Sequence, residues 1–354
     1  MPADNRPDWQ LATVIEVTPA AYSIQRITLH RPPSSRAQPG THIDVRVDLG
    51  ARTDTRSYSV VSSSDDGSQI TVSVLLSPQS RGGSTYMHSL QPGDTVLTTQ
   101  PLQNFPLRIG AQRYVLLAGG IGVTAIIGMA RVLKAMKADY TVVFVGRSRA
   151  SMAYLTELQR EHGDHLQAFV DDEGSQLDVA GLISGIAADQ SRESVEFYMC
   201  GPIRLMDAVR RQWTTSELPM YNLRYETFGN SGWFEPEEFV VRIPRLNIEA
   251  TVGTHTTILE ALTAAGADMM FDCRKGECGL CQVDIEHLDG VLDHRDVFLS
   301  EDQRTAGRKL CTCVSRAVSH SAAQARGLPV PAGNTASNGG SGRHRLPVLI
   351  IDVP

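Results

Sequence analysis

The sequence has no excess of positive charge: 33 lysines and arginines stand against 39 aspartates and glutamates, and the net charge is −6. A nucleic-acid-binding protein normally carries a basic surface, so this balance argues against that class. Cysteine is also scarce, with 6 residues among 354. This number excludes a small disulfide-stabilised scaffold. The length predicts two or three domains at roughly 150 residues each.

Long apolar segments are missing as well. The longest uncharged run, residues 114–130, contains four glycines, and it is too short to form a membrane-spanning helix. The N-terminal segment MPADNRPDWQ is polar and does not have the composition of a signal peptide. We therefore expect a cytoplasmic protein with reduced thiols and with neither a membrane nor a nucleic acid as partner.

The apolar pattern changes near residue 110. Residues 1–109 contain closely spaced strands rich in β-branched side chains, with turn signals such as Pro39-Gly40 between them. This pattern predicts an antiparallel β-barrel. Residues 110–228 instead alternate buried-type strands with amphipathic helices. Such alternation is typical of an α/β domain with a parallel sheet.

A third unit follows the segment GNSGWFEPEE, from which we predict a linker at residues 229–237. Residues 238–354 then combine strands, a helix and most of the cysteines. Within this unit, residues 321–345 are rich in Ala, Gly, Ser and Pro, which supply 15 of 25 positions. We expect this insertion to be flexible.

Five of the six cysteines lie between Cys273 and Cys313, and three of them form the pattern C-x4-C-x2-C. Together with one distant cysteine, this is the spacing of a plant-type [2Fe–2S] site. Glycines between the ligands let one tight loop bend around the cluster. A zinc site usually pairs two short Cys or His clips and is the weaker interpretation. The spacing leaves Cys311 and Cys313 open as the fourth ligand.

Two short motifs lie on the predicted barrel. Arg56-Ser57-Tyr58-Ser59 falls on a strand, and Arg81-Gly82-Gly83-Ser84 precedes a short helical stretch. Backbone N–H groups at a helix start, a hydroxyl and an arginine together bind phosphate well. Alone, an R-G-G-S segment is more often a surface turn. The two motifs together, on a barrel followed by a nucleotide-type domain, indicate a flavin site.

Gly120-Ile121-Gly122-Val123-Thr124-Ala125 follows a strand and opens a helix. It fits the dinucleotide pattern G-x-G-x-x-A. The acidic residue expected about 20 residues later is absent, because the next strand ends in Gly146-Arg147-Ser148-Arg149. Arginine at this place would accommodate the 2′-phosphate of NADPH.

In their order along the chain, which is barrel motifs, dinucleotide turn and cysteine loop, the three sets of motifs resemble the phthalate dioxygenase reductase family, within the ferredoxin–NADP reductase superfamily, over residues 9–320. The resemblance implies an antiparallel β-barrel flavin domain, an α/β parallel-sheet nucleotide domain and an α+β ferredoxin-like (β-grasp) [2Fe–2S] domain. It implies FMN as the flavin, and NADH rather than NADPH, since similar reductases commonly use NADH with the same R-S-R segment. It also favours Cys313, in Cys-Val-Ser-Arg-Ala, over Cys311 as the fourth ligand.

The motifs and the resemblance together predict the site residues. The FMN set is Arg56, Ser57, Tyr58, Ser59, Ser73, Val74, Leu75, Arg81, Gly82, Gly83, Ser84 and Phe228. The NADH set is Gly119, Gly120, Gly122, Thr124, Arg147, Ser148, Arg149, Asp171, Cys200, Gly201 and Pro202, although the turn at Asp171 could equally be a plain solvated turn. Thr124, Cys200 and Phe228 are expected beside the reacting rings. The cluster ligands are Cys273, Cys278, Cys281 and Cys313.

The resemblance implies a monomeric reductase that passes electrons from NADH to a Rieske-type oxygenase acting on an aromatic or similar small substrate. Two alternatives stay open: a self-contained NADH oxidase or ferric/quinone reductase, and a redox-sensing or electron-carrier module. Residues 346–353 resemble a closing strand that either docks or hangs free. Because Pro347 lacks an N–H group, we expect this strand at a sheet edge.

Overall fold

The computed structural model divides into two compact units, Met1–Glu226 and Thr227–Pro354. The residues that it describes are 8–50, 53–77, 80–229, 231–326 and 346–353. Among these residues, no helix is both long and apolar enough to cross a membrane. The predicted fold class is confirmed in all three of its parts, which we take in turn.

The first part of the N-terminal unit is an antiparallel barrel with one short helix, α1 (Gly83–Ser89). Its strands are β1 (Trp9–Ala21), β2 (Ile24–His30), β3 (Thr41–Asp48), β4 (Thr53–Ser63), β5 (Gln69–Leu75), β6 (Thr95–Thr99) and β7 (Leu102–Gln103). The strand order is β4-β5-β2-β1-β6-β3-β7, and pairing of β4 with β3 closes the barrel. In β3, Ile43, Val45 and Val47 are fully buried while the residues between them face outward, as the two-residue period of a strand requires.

The second part of this unit is a parallel five-stranded sheet of order β10-β9-β8-β11-β12. Its elements are β8 (Arg113–Gly119), α2 (Val123–Ala135), β9 (Tyr140–Gly146), α3 (Leu155–His162), β10 (Leu166–Val170), α4 (Val179–Ala187), β11 (Val195–Cys200), α5 (Ile203–Thr215) and β12 (Leu223–Glu226). The central strand β8 is buried from Tyr114 onward, which is the continuous apolar run expected of a strand in a parallel sheet.

The C-terminal unit contains a mixed sheet of order β14-β13-β19-β15-β17 and a separate pair, β16 and β18. Its elements are β13 (Phe239–Ile243), β14 (Ile248–Val252), α6 (Ile258–Ala264), β15 (Gln282–Asp289), β16 (Val291–Asp293), α7 (Glu301–Ala306), β17 (Lys309–Cys311), β18 (Arg316–Val318), α8 (His320–Ala325) and β19 (Val348–Asp352). Helix α6 starts at a capping box in which Thr257 and Glu260 satisfy each other's backbone N–H groups, an arrangement that fixes where a helix begins.

The strand β19 does dock, but not at an edge. It pairs in parallel with β13 and antiparallel with β15, so it lies at the centre of the sheet. The edge expectation is therefore wrong: Pro347 precedes the strand and contributes only its carbonyl, which accepts a hydrogen bond from Val240 N. Its missing N–H group is not needed there.

The insertion predicted to be flexible begins with an ordered segment. Residues 320–325 form α8, capped by Ser319, so the prediction is wrong for these first positions. Residues 327–345 lie outside the described residues. The segment before β13 is also held in place, because buried Asp293 accepts hydrogen bonds from Trp233 N and Phe234 N while Arg295 donates to Phe234 O.

Candidate functional site

The cysteine loop between α6 and β15 wraps its backbone around one thiol. The N–H groups of Lys275, Glu277 and Cys278 all point at Cys273 Sγ from 3.4 Å. This turn requires left-handed backbone at Gly276 (φ 77°) and Gly279 (φ 75°), which glycine adopts without strain. Donors directed at a ligand sulfur stabilise its thiolate form, and they tune a bound cluster.

The fourth thiol of the site comes from the turn between β17 and β18. Hydrogen bonding from Cys313, with help from the backbone donors, lowers the pKa of Cys273 to about 4. Contacts with Cys311 and Cys313 lower the pKa of Cys281 to about 3. Cys313 therefore lies beside two of the loop thiols, whereas Cys311 acts mainly on Cys281. Thiolates are the form that iron binds.

The four thiols match the number of protein ligands that a two-iron cluster requires. Within the part of the chain that the structure describes, no three His, Cys, Asp or Glu side chains form a group that could hold a metal ion. Each iron of a [2Fe–2S] cluster takes only two protein ligands, and sulfide ions complete its shell. The thiol arrangement around Cys273 and Cys281 fits such a cluster.

The structure brings the two barrel motifs together. A Cβ at Gly83, the first residue of α1, would lie 2.8 Å from Cγ of Arg56 on β4, so the arginine packs directly on this glycine. Arg56 Nη1 is paired with Asp54 at 2.7 Å. Among the described residues, the buried Nη2 has no hydrogen-bond partner. A buried donor without a partner is costly, and a phosphate bound at the R-G-G-S turn would satisfy it.

The other predicted flavin residues of the barrel lie on β4, on β5 or in the turn before α1. Ser77 N and the Ser80 hydroxyl both contact the Ser84 hydroxyl, and burial raises the pKa of Tyr58 well above its ordinary value. Ser73 meets the second part of the unit, since its hydroxyl lies 2.5 Å from Tyr154 Oη. The remaining members are the β4 serines Ser57 and Ser59, the β5 residues Val74 and Leu75, and Arg81 and Gly82 in the turn.

One carboxylate at this site was missed by sequence reasoning. Glu226 is 3% exposed, and its Oε2 accepts a hydrogen bond from the Ser59 hydroxyl at 3.5 Å. His42, also buried, pairs with Ser59 across β3 and β4. A buried acid beside a predicted flavin strand is a functional-site signal. It was not seen because Glu226 and Ser59 are 167 residues apart.

The predicted dinucleotide turn lies where β8 and β11 end side by side. A Cβ at Gly122 would lie 2.2 Å from the carbonyl oxygen of Cys200, and one at Gly119 would lie 2.7 Å from Cδ of Pro202. A Cβ at Gly201 would lie 3.0 Å from Cα of Gly119. Only glycine allows two turns to approach in this way. These two turns lie at the carboxyl ends of parallel strands, which is where such sheets bind nucleotides.

The three residues expected beside the reacting rings have different surroundings. Thr124 is buried, and its hydroxyl donates to Ile121 O at 2.9 Å, so its hydrogen is already used. Cys200 is buried at the end of β11. Phe228 is half-buried and belongs to the C-terminal unit.

The arginines that follow β9 face an acidic turn that follows β10. Val170 and Gly146 are partners in the register of these parallel strands, so the two strand ends are level. The Arg149 guanidinium donates to both carboxylate oxygens of Glu173, at 2.6 and 2.9 Å. These hydrogen bonds lower the pKa of Glu173. Asp171 and Ser148 flank the pair on the two turns.

Comparisons with known proteins agree with this geometry. The family model of the 2Fe-2S iron-sulfur cluster binding domain matches residues 241–318. The chain is 33% identical over 278 residues to a phenoxybenzoate dioxygenase subunit beta of Ectopseudomonas oleovorans, covering 78% of this chain and 83% of the relative. It is 32% identical over 315 residues to a tetrachlorobenzoquinone reductase of Sphingobium chlorophenolicum, covering 86% and 94%. It is 30% identical over 295 residues to a phthalate dioxygenase reductase of Burkholderia cepacia, covering 79% and 85%.

Two solved structures share the fold over 98% of this chain. One is a phthalate dioxygenase reductase, described as modular for electron transfer from pyridine nucleotides to [2Fe–2S], with 26% identity, a TM-score of 0.67 and 98% of its own length covered. The other is an intact type IV self-sufficient cytochrome P450 monooxygenase, with 32% identity and a TM-score of 0.61. This chain spans 41% of that monooxygenase.

The barrel, the parallel sheet and the cysteine loop together define a modular iron–sulfur oxidoreductase. The chain belongs to the phthalate dioxygenase reductase family, as the identities and coverage above show.

Proposed function

We propose that this protein is the reductase component of an oxygenase system, with FMN, NADH and a [2Fe–2S] cluster as its cofactors. The observation that carries the proposal is that one chain combines an Arg56 donor beside Gly83, with no partner among the described residues, and a four-thiol site around Cys273. When bound, the flavin takes the two electrons of the NADH hydride and releases them singly through the cluster, which accepts one at a time.

The residues of the chain hold and orient these groups. In our proposal, Arg56 and the turn Arg81–Ser84 bind the FMN phosphate, and β4 and β5 line the ring. Gly119 and Gly122 let the turns after β8 and β11 approach each other, and the dinucleotide binds at this carboxyl edge of the sheet. The buried pair of Ser59 and Glu226 supplies a hydroxyl and a carboxylate beside β4. Cys273, Cys278, Cys281 and Cys313 hold the cluster.

The surface around the cluster loop is suited to docking with a partner protein. Large apolar side chains around it are 40–66% exposed: Met270, Phe271, Leu280 and Phe298. Residues 238–320 carry 13 acidic and 9 basic side chains. Apolar contact and an acidic surround favour a partner whose docking face is apolar with basic residues around it. We propose a Rieske-type oxygenase acting on an aromatic or similar small substrate as this partner.

Three further points belong to the proposal. The domains are 1–109, 110–228 and 238–354, joined by a linker at 229–237. The protein is cytoplasmic, and it is a monomer in solution.

The proposal is tested by comparing electron acceptors. The purified protein should show flavin and [2Fe–2S] absorption bands and reduce both ferricyanide and cytochrome c with NADH. Cys278→Ser should lose at least about 90% of cytochrome c reduction and keep ferricyanide reduction, since the small oxidant takes electrons directly from the flavin. A Cys278→Ser variant with full cytochrome c activity would show that electrons bypass the cluster.

A quinone reductase is the second candidate, favoured by the 32% identity to a tetrachlorobenzoquinone reductase. Substituted benzoquinones should be tried as acceptors alongside cytochrome c. A higher kcat/KM for a quinone, insensitive to Cys278→Ser, would support this candidate instead.

A further inference from the structure

The carboxyl edge of the parallel sheet carries a charge pair that the electron-transfer function does not require. Arg149 and Glu173 lie on the turns after β9 and β10, and their side chains are 54% and 44% exposed. An ion pair this exposed contributes little to stability. It is nevertheless bidentate, with both carboxylate oxygens bound. A bidentate pair of little structural value at the carboxyl edge of the parallel sheet calls for a functional explanation.

The position of the pair follows from the sheet. In an α/β nucleotide site, the pyrophosphate lies at the glycine turn after the first strand, here β8. The adenosine ribose then lies at the end of the neighbouring strand, here β9, which runs into Arg147, Ser148 and Arg149. Asp172 N donates to Arg147 O, so the acidic turn after β10 is hydrogen-bonded to the turn after β9.

The chemistry of the pair separates the two coenzymes. NADPH differs from NADH by a phosphate on the ribose 2′-oxygen, and an arginine fork is the usual receptor for that phosphate. Here the fork of Arg149 is already filled by Glu173. Asp171 and Asp172 stand next to it in the same turn, so this turn carries three carboxylates beside Arg149. A ribose hydroxyl can donate to a carboxylate, whereas a phosphate dianion is repelled by one.

We propose that Glu173, by occupying Arg149, selects NADH over NADPH. The arginine that by itself would predict NADPH is thereby neutralised. This inference rests on the proposed function, because it concerns the coenzyme of the same reaction.

The test compares Glu173→Gln with the wild type in two measurements. The first is kcat/KM for NADH and for NADPH with ferricyanide as acceptor. The second is calorimetric binding of 2′,5′-ADP and of 5′-AMP, which needs no turnover. We expect the wild type to prefer NADH and 5′-AMP. In Glu173→Gln, the NADPH/NADH ratio and the relative affinity for 2′,5′-ADP should each rise roughly tenfold, because a phosphate competes for a guanidinium better than a neutral amide does.

A matched control and a second variant make the result specific. Glu193→Gln removes the same charge from another exposed Arg–Glu contact, but just before β11 and so at the amino ends of the strands. It should leave both ratios unchanged. Adding Arg149→Gln to Glu173→Gln should abolish the gain, as a double-mutant cycle requires for two coupled residues.

Several outcomes would overturn the inference: a wild type that prefers NADPH, unchanged ratios in Glu173→Gln, or a gain that survives the loss of Arg149. A wild type that oxidises neither coenzyme contradicts the proposed function itself. The two failures are therefore distinguishable.

Discussion

Cys311 and Cys313 are separated by one residue and are both buried, yet their surroundings differ. Cys311 ends β17 and pairs across the sheet with Gln282, next to the proposed ligand Cys281. Cys313 lies in the following turn and influences both Cys273 and Cys281. A ligand that completes a two-iron site must reach thiols from both ends of the loop, and this geometry favours Cys313.

Replacing each of the two cysteines by alanine tests this assignment. We expect Cys313→Ala to lose most of its iron and acid-labile sulfide, because one iron then lacks a protein ligand. Cys311→Ala should keep a full cluster and lose only about 1 kcal/mol of unfolding free energy from the small cavity. Iron and sulfide analysis with the visible spectrum decides, and the opposite pattern would assign the ligand to Cys311.

At the scale of elements, the cluster loop depends on backbone shape as much as on its ligands. Gly276 has φ 77°, and a Cβ there would lie 2.7 Å from Val314 Cγ2 and 2.8 Å from Asp296 Cα. Gly307, after α7, also has a left-handed backbone (φ 62°), but its Cβ position is open. The two glycines therefore separate the effect of strain from the effect of crowding.

We expect Gly276→Ala to destabilise the C-terminal unit by about 3 kcal/mol or more and to reduce cluster content, because both strain and a backbone clash oppose it. Gly307→Ala should cost only about 1–2 kcal/mol, from strain alone, and should retain the cluster. Denaturant unfolding and iron analysis measure both effects. Equal losses in the two variants would show that crowding around Gly276 is unimportant.

The features that the sequence predicted are those encoded locally. The C-x4-C-x2-C loop is a short motif, and the strands of the barrel follow a two-residue pattern, so both were read correctly. The contact of Glu226 with Ser59 and that of Glu173 with Arg149 join distant segments through sheet pairing, and no local signal marks them. The central position of β19 was missed for the same reason. Its strand pattern was visible, but its neighbours in the sheet were not.

At the scale of the whole molecule, the division at Glu226 separates the flavin and nucleotide parts from the cluster part. Each unit has a core of its own. In the C-terminal unit, that core includes Leu349 and Ile351 of β19, both fully buried. Damage to this core should therefore leave the reaction of the N-terminal unit intact.

Ile351→Ser tests this independence, with Ile350→Ser as its control on the partly exposed face of the same strand. We expect Ile351→Ser to cost about 3–4 kcal/mol, from a cavity and a buried hydroxyl, and Ile350→Ser to cost about 1 kcal/mol. Ile351→Ser should lose cytochrome c reduction and keep NADH–ferricyanide reduction. Loss of both activities would mean that the units are not independent.

The central place of β19 also has a consequence for the order of folding. The strand fills the gap between β13 and β15, but it follows β13 by about a hundred positions in the sequence. Closing such a long-range contact is slow compared with local pairing. Because synthesis proceeds from the N-terminus, the N-terminal unit can fold first. Until β19 is made, β13 and β15 each have an unpaired edge, and unpaired strand edges promote aggregation. During synthesis, this sheet therefore stays incomplete, with β13 and β15 unpaired on their facing edges, until residues 348–352 have been made.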